Sequence, residues 1–139
     1  MGLKYLLDTN ILSELSKQSP NASVIKQIEH FGMHCTTASL VIHELNFGIL
    51  CLPKGKRKDN LRLFIKQLAN YKFPVLPYDS IAAQVHAKNR AKLVKRGLTP
   101  AFVDGQIAAI SMAHELILVT RNTKDFANYK DLVVENWFE

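Results

Sequence analysis

The chain has 139 residues, of which 47% are apolar and 22% charged, and its formal net charge is +6. This length fits one domain spanning residues 1–139, and this composition excludes an intrinsically disordered chain. No apolar run is long enough to span a bilayer, and the N-terminus lacks the features of a signal peptide. We therefore expect a cytoplasmic protein without a membrane segment, whose positive charge favours polyanionic partners such as nucleic acid.

Short apolar segments along the chain have the character of buried β-strands. They are residues 4–7 and the segments HCTTAS, FPVLP, LILVT and LVVEN. LILVT is a continuous run of Leu and β-branched residues, which is typical of a strand buried on both faces of a parallel sheet. Cys35 and Cys51 lie in apolar surroundings without metal-ligand spacing, which predicts two buried free thiols.

Helical spacing and capping residues predict helices between these strands. The first runs from near Asn10 to before Pro20, and the second is capped by Asn21. The third is capped by Ser39 and reaches about Leu52, and the fourth continues from Leu61. The fifth is capped by Ser80 and ends at Gly97, and the sixth runs from Pro100 to about His114. The PKGKRKDN segment is predicted to be a polar, basic loop. The alternation predicts an α/β fold with a central, mostly parallel sheet and helices on both faces.

Two acidic residues directly follow predicted strands. Asp8 comes after the first strand, and Asp125 comes shortly after the LILVT strand. Both would lie where the strands of a parallel sheet end, which is where such sheets bind ligands. Each also has a local explanation, because Asp is a good cap for the helix or turn that follows.

Two further acids lie on predicted helices. Glu44 shares a stripe with Leu40, Phe47 and Cys51, where an unpartnered carboxylate would be costly to bury; the alternative is a boundary position that reaches water. Asp104 is the only charged residue between positions 101 and 113. It needs a counter-charge, a hydrogen-bond cluster or a metal, unless the dipole of its helix N-terminus stabilises it.

If these four acids meet, their charges repel unless a cation is bound. Mg²⁺ and Mn²⁺ prefer such oxygen ligands. An acidic pocket for Mg²⁺ or Mn²⁺ inside a basic protein suits phosphodiester hydrolysis, because lysines and arginines hold the polyanion while the metal acts on the reacting phosphate.

Other chemistries lack their motifs in this chain. HELNF has no second His for a zinc protease helix, and no phosphate-binding glycine loop or GxSxG elbow is present. Two alternatives stay open. One is a Mg²⁺-dependent phosphatase in which Asp8 is a covalent nucleophile, and the other is a non-catalytic basic α/β module that binds nucleic acid or protein.

Four segments together resemble the PIN-domain ribonucleases, and most closely the VapC- and FitB-type toxins of type II toxin–antitoxin pairs. They are LLDTNILSEL, the helix around Glu44, TPAFVDGQIAAISMA and LILVTRNTKDF. The resemblance implies a PIN-like three-layer fold and a Mg²⁺- or Mn²⁺-dependent endoribonuclease, commonly a homodimer, that leaves 5′-phosphate and 3′-hydroxyl ends. It also implies an antitoxin partner that masks the site and through which the toxin binds operator DNA.

The resemblance also implies the residues of the site. Asp8, Glu44 and Asp104 match the first three family acids, and Asn10 matches the residue that orients the first. Many relatives carry a fourth acid at the position that is Asn122 here, and Asp125 is then the candidate to supply the charge. Asp8 and Asp104 are expected to hold the metal, Glu44 to ligate it or orient the attacking water, and Asp125 with Asn122 to complete the shell.

Basic residues are expected to contact the RNA. The candidates are Arg121, near the predicted pocket, and Lys54, Lys56, Arg57 and Lys58 in the predicted loop. A second basic stretch contains Lys88, Arg90, Lys92, Lys95 and Arg96. The alternative for all of them is a solvated surface that keeps the protein in solution.

Overall fold

The structure is a computed structural model that describes residues 2–139. Five strands form one sheet: β1 (Tyr5–Leu7), β2 (Cys35–Ala38), β3 (Val75–Leu76), β4 (Ile117–Val119) and β5 (Val134–Glu135). Their order in the sheet is β3-β2-β1-β4-β5, and every neighbouring pair is parallel. Helices flank this sheet. The predicted α/β architecture with a central parallel sheet is therefore confirmed.

Six α-helices connect the strands: α1 (Thr9–Glu14), α2 (Ala22–Phe31), α3 (Ser39–Leu50), α4 (Lys56–Leu68), α5 (Ser80–Lys95) and α6 (Phe102–Ala113). Asn21 caps α2 as predicted, because its Oδ1 accepts hydrogen bonds from the backbone N–H groups of Ser23 and Val24. Two predicted caps are wrong. Ser39 is already inside α3, and α5 is capped by Asp79, whose Oδ1 accepts from the Ala82 N–H at 2.9 Å.

The predicted basic loop is partly helical, because α4 begins at Lys56 instead of Leu61. Lys and Arg are good helix formers, and Asp59 in the first turn favours the helix N-terminus. The first turn of α4 is mostly exposed and therefore carries no apolar periodicity. The polar residues of this segment indicate that it is exposed to solvent, and they do not exclude a helix.

The core lies around the central strands. Leu6, Leu7, Leu118 and Val119 are fully buried, and the apolar face of α6 packs with them in the same cluster. Cys35 is also buried, and burial raises the pKa of its thiol to about 12. The prediction for the other thiol is wrong, because the residue that follows α3, Cys51, is exposed. Within residues 2–139, no helix is both long and apolar enough to cross a membrane.

The strand order places a switch point between β1 and β4. The chain goes from β1 to β2 and β3 on one side of β1, and then crosses to the other side to form β4 and β5. The carboxyl ends of β1 and β4 therefore open into one crevice. The residues that directly follow these two strands are Asp8 and Thr120.

Candidate active site

Asp8 is fixed at the switch point by contacts from both sides of the crevice. Its backbone N–H donates to the Val119 carbonyl at 3.0 Å. The Thr9 N–H donates to its Oδ1 at 2.8 Å, and the Thr120 hydroxyl donates to its Oδ2 at 2.8 Å. Asp8 is thus both the cap of α1 and a corner of the site. Burial raises the pKa of Asp8, the Asp125 charge adds to this, and the two hydrogen bonds oppose it.

Thr120 connects several groups around Asp8, although it was not among the predicted site residues. Its hydroxyl donates to Asp8 and accepts hydrogen bonds at 3.1 Å from the Asn10 side chain and from the Asn122 N–H. The side-chain Oδ1 of Asn10 in turn accepts from the Arg121 backbone N–H at 2.9 Å. Asn10 therefore orients Asp8 through Thr120, without contacting it directly. The one sequence feature that pointed here is that a threonine ends the LILVT strand.

Replacing Thr120 with Val keeps the shape of the side chain but removes this hydroxyl. We expect Thr120→Val to lower the free energy of unfolding by about 1–3 kcal/mol, because buried polar groups lose their partner. We expect RNA cleavage to fall roughly 10- to 100-fold, because Asp8 loses a group that orients it. Thermal melting and initial cleavage rates measure the two effects.

Thr36→Val is the control for Thr120→Val. Thr36 is equally buried, and its hydroxyl donates to the Pro74 carbonyl at 2.7 Å, away from the acids. This variant should lose stability but retain the cleavage rate per folded molecule. Equal cleavage losses in both variants would show that Thr120 acts only on stability.

Glu44 lies on the exposed side of α3, which corrects the expectation of an apolar, buried stripe. The buried stripe is formed by Val41, Leu45 and Ile49, whereas Phe47 on the side of Glu44 is 61% exposed. Both stripes are apolar, so the sequence pattern could not distinguish them. The Thr9 hydroxyl donates to Glu44 Oε1 at 3.0 Å, which ties this carboxylate to the residue next to Asp8.

Asp104 lies in the first turn of α6 and is half-buried. Its pKa is raised to about 6, first by burial and then by the charges of Asp8, Asp125 and Glu44. The four predicted acids are therefore close enough to affect one another electrostatically. Within residues 2–139 the only ion pair joins Lys17 to Glu14, so none of the four acids forms an ion pair with a lysine or arginine.

Asp125 approaches the site from a 3-10 turn, Thr123–Phe126. Its side chain is exposed, and its backbone N–H donates to the Asn122 carbonyl at 3.1 Å. Its charge raises the pKa of both Asp8 and Asp104. Asp125 is thus an acid whose field reaches the site, whereas Asn122 contributes a backbone contact to Thr120.

The described residues do not gather three acids tightly enough to hold one metal ion by protein ligands alone. Like charges favour such spacing. The donor set nevertheless fits a hard divalent cation, because it consists of carboxylates that form no ion pair with a lysine or arginine in residues 2–139. It fits Mg²⁺ in particular, which usually keeps several waters among its ligands.

None of the basic candidates forms an ion pair with the four acids in residues 2–139. Arg121 stacks its guanidinium over the Phe138 ring, 4.5 Å from the centroid. Lys56 and Arg57 line a surface cavity with Lys17, to which none of the four acids contributes. Lys58 donates to the Leu50 carbonyl at 3.3 Å, and Lys54 is exposed just before α4. RNA contact by these residues stays a prediction.

A family model described as PIN domain matches residues 5–132 of the chain. The plasmid stability protein StbB of Pseudomonas syringae pv. tomato is 33% identical over 135 residues, covering 95% of this chain and 97% of that protein. The VapC ribonuclease Y4jK of Sinorhizobium fredii is 33% identical over 127 residues, covering 87% of this chain and 89% of that protein.

Solved structures agree in fold. FitAcB from Neisseria gonorrhoeae matches with a TM-score of 0.86 and 30% identity over 97% of this chain and 99% of that one. VapBC2 from Rickettsia felis, solved with a DNA fragment from its promoter, matches with a TM-score of 0.83 and 26% identity over 99% of each chain. The chain therefore belongs to the PIN domain family, in the group of the VapC- and FitB-type proteins.

Proposed function

We propose that this protein is a metal-dependent endoribonuclease and the toxin of a type II toxin–antitoxin pair. The observation that carries this proposal is that the charges of Asp8, Asp125 and Glu44 all act on the half-buried Asp104, while none of these four acids forms an ion pair within residues 2–139. A relative named as a ribonuclease, which matches most of the chain, supports RNA as the substrate. These relatives give no support to a non-catalytic binding module.

The cation would be Mg²⁺ or Mn²⁺, held by Asp8 and Asp104. When bound, it supplies a water of lowered pKa and neutralises negative charge on the scissile phosphate. Thr9 and Thr120 hold one oxygen of Asp8 each and so fix how this carboxylate faces the crevice. Glu44 remains free to orient the attacking water through the oxygen that Thr9 does not hold. Asp125 adds negative charge at the open side.

The proposal includes a protein partner. The FitAcB and VapBC2 structures support an antitoxin partner, and VapBC2 was solved with promoter DNA. We propose that this antitoxin covers the acidic site. We propose that this chain forms a homodimer and reaches operator DNA only through its antitoxin. The positive net charge of +6 agrees with an RNA substrate, because the acidic site by itself repels a polyanion.

Metal removal tests the proposed chemistry. We expect EDTA to abolish RNA cleavage and Mg²⁺ or Mn²⁺ to restore it. At a metal concentration tenfold above its Kd, the folded state gains about 1.4 kcal/mol, which raises the Tm by roughly 4 °C. Calorimetry and cleavage of total RNA measure the two effects, with NaCl at matched ionic strength as the control. Cleavage that persists in EDTA, together with an unchanged Tm, would refute metal dependence.

A further inference from the structure

A second concave surface lies next to the acidic site. It is a cavity of about 420 Å³ between the C-terminal half of α5 and residues 128–131. Its lining carries four basic side chains, Lys92, Lys95, Arg96 and Lys130, and one acid, Asp131. We name this surface the basic cavity. Its volume lies within the range of about 300–1,000 Å³ that is usual for ligand pockets.

The positive charges of the basic cavity are not used within the described chain. In residues 2–139 the only ion pair joins Lys17 to Glu14, so the four cations have no carboxylate partner. Scattered exposed lysines are usually solvated and bind nothing specific. Four cations around one concavity differ, because their fields add where the walls exclude water, and an anion bound there gains from all of them.

The basic cavity adjoins a cavity that contains two of the four acids. A neighbouring cavity of about 250 Å³ is lined by Asp104, Asp125 and Lys124, and Leu93, Asn128 and Tyr129 line both cavities. Tyr129 lines both cavities and lies within the field of the acids. Burial and then the Asp104 charge raise the pKa of its hydroxyl. A chain that leaves the carboxylates along this surface therefore enters the basic cavity next.

We propose that the basic cavity is a substrate subsite that binds the phosphate–sugar backbone of a single RNA strand beside the scissile bond. The inference rests on the proposed nuclease function and names where its substrate is held. Repulsion of RNA by the acids must be offset nearby, and Lys92, Lys95, Arg96 and Lys130 are placed to do so. The apolar contribution of Leu93 and Met112 suits a ribose or base.

The test neutralises two cavity lysines in a background that cannot cleave. Lys92→Gln/Lys95→Gln is combined with Asp104→Asn, and fluorescence anisotropy measures binding of a labelled, random-sequence single-stranded RNA over a series of NaCl concentrations. We expect the Kd to rise about tenfold and the salt slope to flatten by about 1.4, because each lost phosphate contact removes about 0.7 from the slope.

The matched control is Lys26→Gln/Lys66→Gln, which changes the net charge equally. Lys26 on α2 and Lys66 on α4 are both exposed, and neither lines the basic cavity. With the catalytic acids intact, the cavity variant should raise KM about tenfold with kcat within about twofold, whereas the control should change neither. A change in KM without a change in kcat distinguishes weaker substrate binding from damage to the acidic site.

The outcomes distinguish the two proposals. If the wild-type chain cleaves RNA and both double variants bind RNA equally well, the subsite is wrong and the nuclease stands. If the wild-type chain never cleaves RNA but only the cavity variant loses RNA binding, the nuclease is wrong and the RNA subsite stands. If the cavity variant loses affinity for poly-glutamate but not for RNA, the occupant is an acidic peptide and the inference is overturned.

Discussion

Asp104→Asn is expected to abolish RNA cleavage and to stabilise the metal-free protein at the same time. Asp104 is the half-buried acid whose pKa is raised to about 6 by burial and by Asp8, Asp125 and Glu44. Asn keeps the shape but removes the charge that would hold the cation. We expect the cleavage rate to fall at least about a thousandfold. The variant should also lose the rise in Tm that Mg²⁺ gives the wild type.

The stabilisation has a defined pH window. The pKa of Asp104 is higher in the folded state than its ordinary value of 3.8, so folding favours the protonated form. The contribution of Asp104 to the free energy of unfolding of the wild type therefore falls as the pH rises from about 4 through 6. At pH above 7, Asp104→Asn should be more stable by about 1–2 kcal/mol, with screening at this half-buried position included. Near pH 4 the difference should vanish.

Asp59→Asn is the matched control for this variant. Asp59 also lies in the first turn of a helix, α4, but it is exposed and is not among the charges that raise the pKa of Asp104. Its substitution should cost about 0.3–1 kcal/mol, because a favourable interaction with the helix dipole is lost. The two Asp→Asn changes thus have opposite signs at neutral pH. An Asp104→Asn variant that keeps the Mg²⁺-induced shift would exclude Asp104 as a ligand.

Gly105→Ala is expected to destabilise the fold and to impair the site. A methyl group at Gly105 would lie 2.6 Å from Nε2 of His86 and 3.3 Å from the Tyr129 hydroxyl. His86 cannot easily move, because it is buried and its ring Nδ1 is hydrogen-bonded to the Tyr78 hydroxyl at 2.8 Å. We expect a loss of about 1–3 kcal/mol in the free energy of unfolding.

We expect the cleavage rate to fall by more than the loss of folded protein explains. Gly105 is adjacent to Asp104, so a shift of α6 to relieve the clash moves a carboxylate of the site. A displacement of this kind costs up to about a hundredfold in rate. Thermal melting and cleavage at a temperature where the variant stays folded separate the two losses. The double variant His86→Ala/Gly105→Ala should show a favourable coupling energy, because removing the ring provides space.

Gly48→Ala provides the control with the same chemical change. Gly48 lies inside α3, and no atom is within 4 Å of an added methyl group there. This variant should be more stable than the wild type by about 0.5–1 kcal/mol, because Ala favours the helix. If Gly105→Ala melted at or above the wild-type temperature, the close approach of α5 to α6 at His86 would not be required.

The sequence was most informative for the buried strands and for the residues that directly follow them. The LILVT run predicted strand β4. The apolar run before Asp8 predicted β1, and this placed Asp8 at the carboxyl end of that strand. Long-range contacts were not predictable in this way. Thr120 contacts Asp8 and Asn10 across 112 and 110 positions, and no periodicity records such a pairing.

Helix faces were predictable only where one side is polar. In α3 both sides carry apolar residues, so the pattern could not show that Glu44 faces outward while Leu45 is buried. In the charged start of α4 the helix itself was missed, because this exposed segment has no apolar stripe that would indicate a helix. The acids themselves were identified by residue type, whereas their spacing and electrostatic coupling required the three-dimensional structure.

The strand order has a consequence for synthesis of the protein. The first acid comes from the strand made earliest, but its hydroxyl partner Thr120 follows β4 and is added late. A nascent chain that has not reached residue 104 carries Asp8 and Glu44 only, and no crevice exists until β4 pairs with β1. We therefore expect ribosome-bound chains and premature-stop fragments that end before β4 to lack nuclease activity, because Asp8 has neither the Thr120 hydroxyl nor the neighbouring strand in them.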